Sequence, residues 1–247
     1  MLWHRGSALS DKPTTQTTTP AATPVDQLAL RAVEPVTSGM LVGLGAGRTA
    51  ARGIKALADK VARDGLKVKC VAASERSDRE ARELGLNVVD FGVIEEVDYL
   101  IDGADEIDRA MRVMKGSRGA MTRERILCWA SKHTCFLVNS DKIAEPQIGT
   151  KSPLPVAVMA YGLASTRKAL RHIGLNGVLR RDLDGKMFIT DNGNLVLDAT
   201  LSGDEDLLDL CDELNSIPGV IDHGLFLDEA DEILIEHADG SVEHLAR

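Results

Sequence analysis

The stretch Asp102–Arg125, DGADEIDRAMRVMKGSRGAMTRER, holds the residue types in this chain best suited to chemistry. Asp102, Asp105, Glu106 and Asp108 follow directly on the apolar run Tyr99, Leu100, Ile101. Lys115 opens a turn that runs to Gly119, and Glu124 falls in the first turn of the helix expected beyond it. The end of a buried parallel strand is where open α/β sheets place their ligands. A carboxylate, an ammonium and flexible backbone N–H groups together can move a proton beside a carbonyl. A solvated acidic loop ahead of an ordinary helix fits the same residues, and this segment alone does not separate the two.

Strands and helices must position these groups. Met40–Gly45 reads as a buried strand running into a glycine turn. A helix follows from Thr49, with Ala50, Ile54, Leu57 and Val61 spaced by four, three and four and Gly65 as its stop. Lys67–Ala73 is a second strand, and Ser77 with Glu80 suggests a capping box for a short helix ended by Gly85. Leu86–Asp90, Asp98–Asp102 and Cys135–Asn139 read as further strands, the last leading to Ser140, Asp141 and Lys142. This alternation implies an α/β fold: a Rossmann-like, mostly parallel sheet flanked by helices.

After the Pro-rich joint Lys151–Pro155 the rhythm changes. A strand at Val156–Met159, a helix at Gly162–His172 and a hairpin-like pair with turns at Asp184-Gly185 and Asp191–Asn194 come next. A helix over Glu205–Leu214 and a strand after Pro218-Gly219 complete the order β-α-β-β-α-β of a ferredoxin-like unit. The last two strands, EILIEH and SVEHL, are joined by Asp239-Gly240, a hairpin signal, and return to the first unit. The division is thus a Thr- and Pro-rich disordered tail over 1–24, a large α/β domain over 25–152 plus 224–247, and a smaller ferredoxin-like α+β domain over 153–223.

Composition narrows the function classes. A net charge of -9 over 247 residues argues against nucleic acid as a partner but not against a small anion in a locally basic pocket. Cys70, Cys128, Cys135 and Cys211 are scattered, which points to free thiols in a reducing cytoplasm. No apolar run nears the roughly 18–20 residues of a membrane span, and the N-terminus lacks a secretory apolar core. His133 and Cys135 have no third ligand nearby, so no metal site is expected. His4, His172, His223, His237 and His244 read as surface or satisfied, Ser202–Asp209 as a capped helix start, and Trp129 as a core residue of the Glu124 helix.

The glycine turn GLGAGRTA (Gly43–Ala50) lies between strand and helix, where exposed N–H groups and the helix dipole favour a phosphate. It is not a dinucleotide fingerprint. Arg48 stands where the third glycine belongs, and Asp59 and Asp64 are misplaced for a ribose contact, so no NAD and no other cofactor is expected. A phosphate loop with Arg48 and the Thr49 hydroxyl as extra ligands is one reading; a tight turn with no ligand is the other.

With these pieces in order, the chain from about Leu30 onward resembles the ribose-5-phosphate isomerase A family. VGLGAGRTA stands for the family's VGxGTGSTA, DGADEID is essentially intact, and KGSRGAMTRERI stands for KGGGGALTREKI. SPLPVAV matches FPLPVEV, and ITDNGNLVLD and NSIPGVIDHGLF match further family motifs. The resemblance implies a metal-free aldose–ketose isomerase of the non-oxidative pentose phosphate pathway, with the small domain as a lid. It would interconvert ribose 5-phosphate and ribulose 5-phosphate through an enediolate. By position it implies Glu124 as the general base, Asp102 and Asp105 on the sugar hydroxyls, and Lys115 with the N–H groups of Gly116, Ser117 and Arg118 at the developing oxyanion. Gly45, Ala46, Gly47, Arg48, Thr49 and Lys142 would hold the phosphate, and the protein would be a homodimer or homotetramer. Burial should raise the Glu124 pKa and Lys115 should lower it, leaving an ionised base at neutral pH.

Departures from the family pattern cluster at this site. Ala46 replaces a Thr, Arg48 a Ser, Ser117 and Arg118 two glycines, Asn139 an Asp and Ala157 a Glu. Two extra residues separate Lys142 from PLPV, and an N-terminal lysine used near the phosphate has no counterpart. Arg48 and Arg118 could substitute charge for lost hydroxyls, or the site could serve another sugar, with or without phosphate. A non-catalytic sugar-phosphate sensor on the same scaffold and an acyl-CoA transferase are the rival classes. The retained set Asp102, Asp105, Lys115 and Glu124 favours an active isomerase.

Overall fold

The computed structural model describes residues 26–247; the tail expected over 1–24 lies outside the described residues. The elements in the first half are α1 (Gln27–Val33), β1 (Leu41–Leu44), α2 (Arg48–Asp64), β2 (Lys69–Ala72), α3 (Glu75–Glu83), β3 (Tyr99–Gly103), β4 (Glu106–Ile107), β5 (Val113–Met114), α4 (Met121–Trp129) and β6 (Thr134–Asn139). The second half holds β7 (Leu154–Val158), α5 (Leu163–His172), β8 (Gly177–Leu179), β9 (Leu195–Ala199), α6 (Leu207–Ser216), β10 (Val220–His223), β11 (Leu225–Phe226), β12 (Glu232–Glu236) and β13 (Val242–Ala246).

Six strands form the main sheet in the order β13-β12-β6-β3-β1-β2. All neighbours are parallel except the β12–β13 hairpin. The chain leaves β1 toward β2 and returns on the other side of β1 as β3, so the sheet's switch point lies between β1 and β3. That crevice is where an open α/β sheet accepts a ligand. The ends of β1, β3 and β6 carry Gly45, Asp102 and Lys142 to the same edge. A second sheet is antiparallel throughout, in the order β10-β7-β9-β8 with α5 and α6 in its connections, which is the ferredoxin-like pattern. A third, of order β11-β5-β4, carries the backbone that ends at Lys115.

Helix α2 packs through Ala50, Gly53, Ile54, Leu57 and Ala58 onto β3 and β6. At Gly53 a Cβ would come within 2.8 Å of Ile101 Cγ2, so a small residue lets the helix lie close on the strand. Leu28, Leu44, Ile54 and Leu57 are fully buried here, each stabilising the fold by about 1.5–3 kcal/mol. Helix α1 starts at Asp26, whose carboxylate accepts the Ala29 N–H at 3.0 Å. It is closed by Lys60, whose Nζ donates to the carbonyls of Val33, Glu34 and Val36, each at 2.8 Å. None of the helices among the described residues is long and apolar enough to cross a membrane.

Several expectations need correction. The cap of α3 is Ser74, which accepts the Ser77 N–H at 3.0 Å; Ser77 Oγ instead donates to the Gly45 carbonyl at 2.7 Å. Leu86–Asp90 is not a strand but a single bridge, Cys70 to Val88, because Asp90 turns the chain by accepting the Gly92 N–H. Trp129 is 92% exposed rather than core. The buried arc of α4 takes Met121, Glu124, Leu127 and Cys128, and position 129 falls outside it. Helix α1 and the two-residue strands β4, β5 and β11 were not foreseen, since seven and two residues are too few for a periodic signal.

The Lys60 cap is testable without touching the cleft. Lys60→Met should cost about 1–3 kcal/mol, read as a lower midpoint in urea unfolding, with the specific properties of the folded protein unchanged.

Candidate active site

The loop after β1 is built over Asp102. Gly45 N donates to Ile101 O at 2.9 Å, and Ala46 N donates to Asp102 Oδ1 at 3.0 Å. A Cβ on Gly45 would lie 1.9 Å from that same Oδ1, so only glycine allows this crossing. Gly47, with φ +103°, then turns the chain into α2. Helix α2 has no side-chain cap, and its first N–H groups stay available at the positive end of the helix.

Lys115 is the centre of the site. Its backbone is held by Gly224, whose carbonyl accepts the Lys115 N–H at 2.8 Å. Its ammonium lies 2.8 Å from Asp102 Oδ2 and 2.8 Å from Glu124 Oε1, donates to the Gly103 carbonyl, and sits 5.6 Å from the Phe136 ring centre. All three charged side chains are buried. Asp102 Oδ1 also accepts Gly103 N at 2.7 Å, whereas Oδ2 meets the ammonium as a charge contact without an aligned hydrogen bond.

Two buried carboxylates facing one ammonium leave an excess negative charge that low polarity opposes. Burial pushes the Glu124 carboxyl up to about 8, against the pull of Lys115 and with the push of Asp102. Burial likewise raises Asp102, against the same lysine. For Lys115 burial works downward, but Asp102 and Glu124 outweigh it and hold the ammonium above its ordinary range. Desolvation outweighs the lysine, so the Glu124 carboxyl is held well above the ordinary glutamate range.

Around this core is a cleft of roughly 290 Å³ lined by Ala46, Gly47, Arg48, Thr49, Gly103, Ala104, Asp105, Lys115, Gly116, Ser117, Arg118, Glu124, Lys142 and Ser152. Of the residues given roles by the resemblance, Asp102 and Gly45 lie behind this wall and the others form it. Asp105 is clamped by Ser117, whose N–H donates to Oδ2 at 2.8 Å and whose hydroxyl donates to Oδ1. Grooves of roughly 530 and 540 Å³ exist elsewhere, but neither gathers a buried acid–ammonium cluster. Convergence of polar groups, not volume, selects the smaller one.

Glu106 and Asp108, members of the same acidic run, do not join the cleft. Glu106 accepts the N–H groups of Gly149 and Lys151, and Asp108 pairs with Arg112 and caps its own turn. They tie the strand end to the segment before β7, so the solvated-loop reading fails for both. Asn139 donates to Glu236 at 2.8 Å, and Ala157 is core. Residues missed in the sequence are Ser77, Ser152, Arg125 and Arg180. Arg125, beside the candidate base, donates to Asp222, Glu229 and the carbonyls of His223 and Leu225, and stacks 4.0 Å from the Phe226 ring centre. Its partners are about 100 residues away, which no local pattern reveals. His133 stacks on Tyr99 and bonds to Glu232, and no metal-binding group of three is found among the described residues.

The geometry accords with what the chain is similar to. The family model described as Ribose 5-phosphate isomerase A (phosphoriboisomerase A) matches residues 69–240. A ribose-5-phosphate isomerase A from Sphingopyxis alaskensis is 41% identical over 211 residues, covering 85% of this chain and 91% of that protein. Among solved structures, a ribose 5-phosphate isomerase A from Methanocaldococcus jannaschii gives a TM-score of 0.84 at 31% identity, covering 90% of this chain and 97% of that one. A D-ribose-5-phosphate isomerase in complex with phospho-erythronic acid gives the same TM-score of 0.84 at 31% identity, with coverage of 90% and 97%.

The charge balance of the cluster predicts a titration. In ligand-free protein, carboxyl ¹³C signals should show Glu124 titrating near 8, far above an ordinary glutamate. Asp102→Asn removes a neighbouring negative charge and should lower that midpoint; Lys115→Met removes the positive one and should raise it. Since the folded-state pKa values of both acids are raised, their contribution to stability is full at acid pH and is lost as pH rises through the folded values. The melting temperature of the parent should therefore fall between pH 5 and 9, and Glu124→Gln should flatten that fall.

Proposed function

The chain belongs to the ribose 5-phosphate isomerase A family, and from that membership we propose that this cleft interconverts ribose 5-phosphate and ribulose 5-phosphate with Glu124 as the base. The observation that carries the assignment of roles is the Lys115 ammonium at 2.8 Å from both Asp102 and Glu124 on the cleft wall. In this reading the phosphate sits at the uncapped start of α2, against Arg48, Thr49 and Lys142. Its charge is met by a helix dipole and two cationic side chains, which anchors the sugar by its unreactive end. The arginine at position 48 supplies charge where the family pattern has a hydroxyl.

For the open-chain aldose, Glu124 takes the proton from C2 while the C1 carbonyl becomes an enediolate oxygen. Lys115 and the Gly116 and Arg118 N–H groups of the turn after it stabilise that negative charge. The O2 proton passes to O1 by way of Asp105 in the cleft wall, and Glu124 returns its proton to C1. No atom is gained or lost. A base whose pKa is raised toward the working pH is a stronger acceptor than an ordinary carboxylate, which suits a weak carbon acid. Asp102, behind the wall, keeps Lys115 charged and in place.

We also propose that residues 153–223 form a separate lid over the domain of residues 25–152 plus 224–247, which the self-contained antiparallel sheet supports. A reducing, cytoplasmic setting is supported by the four free cysteines, with burial raising the Cys70 thiol to about 12. Assembly into a homodimer or homotetramer is supported by Ile126 and Trp129, both exposed on α4.

The deciding experiment is a coupled assay with ribose 5-phosphate. The parent should turn over with chelator present, and Glu124→Gln should lose about 10²–10⁴-fold in kcat while keeping its fold. Parent protein inactive on this sugar would sink the assignment. Sedimentation of the parent should give a mass of at least two chains, and a monomer at micromolar concentration would refute the assembly.

A further inference from the structure

The turn after Lys115 is held from the far side by a residue that no local motif marks. Arg180 follows the edge strand β8, and its own N–H donates to Val196 O at 2.8 Å, which fixes its backbone to β9. Its guanidinium is largely buried and forks onto Asp198: Nε donates to Oδ2 at 2.9 Å, and Nη2 donates to Oδ1. The remaining nitrogen, Nη1, donates to two backbone carbonyls, Gly116 O at 2.8 Å and Ser117 O at 3.0 Å. Phe188 lies 5.5 Å from the guanidinium carbon and packs on Gly119, where a Cβ would come within 2.4 Å of its ring. One side chain from the small sheet thus binds two carbonyls of the turn that lines the cleft, one of which, Gly116 O, also accepts the Gly119 N–H at 2.9 Å.

A trans peptide is planar, so fixing its carbonyl fixes its N–H on the opposite side. In the Gly116–Ser117 peptide the carbonyl points to Arg180 and the N–H points to Asp105 Oδ2 at 2.8 Å. In the Ser117–Arg118 peptide the carbonyl again points to Arg180, which turns the Arg118 N–H the other way. A carbonyl drawn by a guanidinium also polarises its peptide, which strengthens the N–H as a donor. Asp198 neutralises the guanidinium and fixes the plane of the fork; a lysine could not serve these four acceptor atoms from one plane.

We infer that Arg180, oriented by Asp198, is a positioning residue for the isomerisation: through two peptides of the turn after Lys115 it keeps the Ser117 N–H on Asp105 and turns the Arg118 N–H to the side where the enediolate charge develops. This rests on the reading of the cleft as the isomerase site. It adds a contribution from the small antiparallel sheet to a reaction whose other groups come from elements outside that sheet. Arg180 acts through the backbone of Gly116 and Ser117, so its loss should fall on the step in which charge develops and hardly on substrate capture.

The test uses the full chain with Arg180→Met, Arg180→Lys and Asp198→Asn. Arg180→Met should lower kcat roughly 10–100-fold with KM within about threefold of the parent. It should weaken equilibrium binding of phospho-erythronic acid, whose carboxylate is a fixed anion, by a similar factor. Arg180→Lys and Asp198→Asn should fall between parent and Arg180→Met. Hydrogen exchange at residues 116–119 should speed up in Arg180→Met while β1 and β3 keep their protection. If kcat and acid affinity stay within about twofold, or the loss falls on KM alone, Arg180 is only an edge-strand ion pair and the inference is overturned. A parent inactive on ribose 5-phosphate refutes the isomerase reading instead; exchange at 116–119 unchanged by Arg180→Met then overturns the positioning as well.

Discussion

One buried ammonium between two buried carboxylates organises this protein. Removing charges from water costs several kcal/mol per ion, and one lysine cannot fully compensate two acids. The fold supplies the rest in fixed dipoles: the N–H groups of Ala46 and Gly103 on Asp102, and the Gly103 carbonyl on Lys115. Each of these comes from the end of β1 or β3, so the sheet must be formed before the cluster can exist. Burial, only partly offset by Lys115, is what raises the two acids. A site that were fully neutralised would be more comfortable and would lack a base strong enough for a carbon acid.

Much of this was legible in the sequence, because the residues concerned are close along the chain. Asp102, Lys115 and Glu124 lie within 23 positions of one another, bounded by an apolar strand and a glycine turn, both of which are local signals. Helix α2 was readable from its spacing and its Gly65 stop, and the final hairpin from Asp239-Gly240. What was not legible depends on partners far away. Glu106 and Asp108 look like Asp102 and Asp105 in sequence, and only the distant Gly149, Ile148 and Lys151 N–H groups show that they hold a loop. Trp129 was misread because an apolar residue in an apolar helix was assigned to the core without asking which arc of α4 is buried. Ser77 was taken for the cap of α3 because its spacing to Glu80 fits a capping box; Ser74 caps instead, and the Ser77 hydroxyl is drawn to the Gly45 carbonyl, a partner 32 residues away.

The small sheet has a different relation to the site. It contributes none of the acid–base groups, yet its hairpin meets the larger unit at two places. Asp191 and Asn192 at the tip engage Arg123 and the Glu75 N–H, and Arg180 at the base engages the turn. Arg123 is the residue before the candidate base. The hairpin therefore braces both the start of α4 and the turn preceding it. A site made of backbone N–H groups needs such a brace, because a turn of small residues has little packing of its own to hold it.

The substituted turn itself shows why the departures from the family pattern need not abolish function. Among the described residues Met111 is the only non-glycine with positive φ, so Ser117 and Arg118 sit in ordinary backbone conformations. The positions that demand glycine are Gly116, with φ +101°, and Gly119, with φ +75° and Phe188 against it, and both remain glycine. The turn can thus keep the same path with side chains at its two middle positions. What those side chains change is the cleft wall: a hydroxyl on Asp105 and a guanidinium in place of empty space. Arg48 at the start of α2 is similar, since the first helical position accepts an arginine without strain. Backbone geometry and the buried cluster are therefore preserved, and the novelty of this chain lies in the polar lining that meets the sugar.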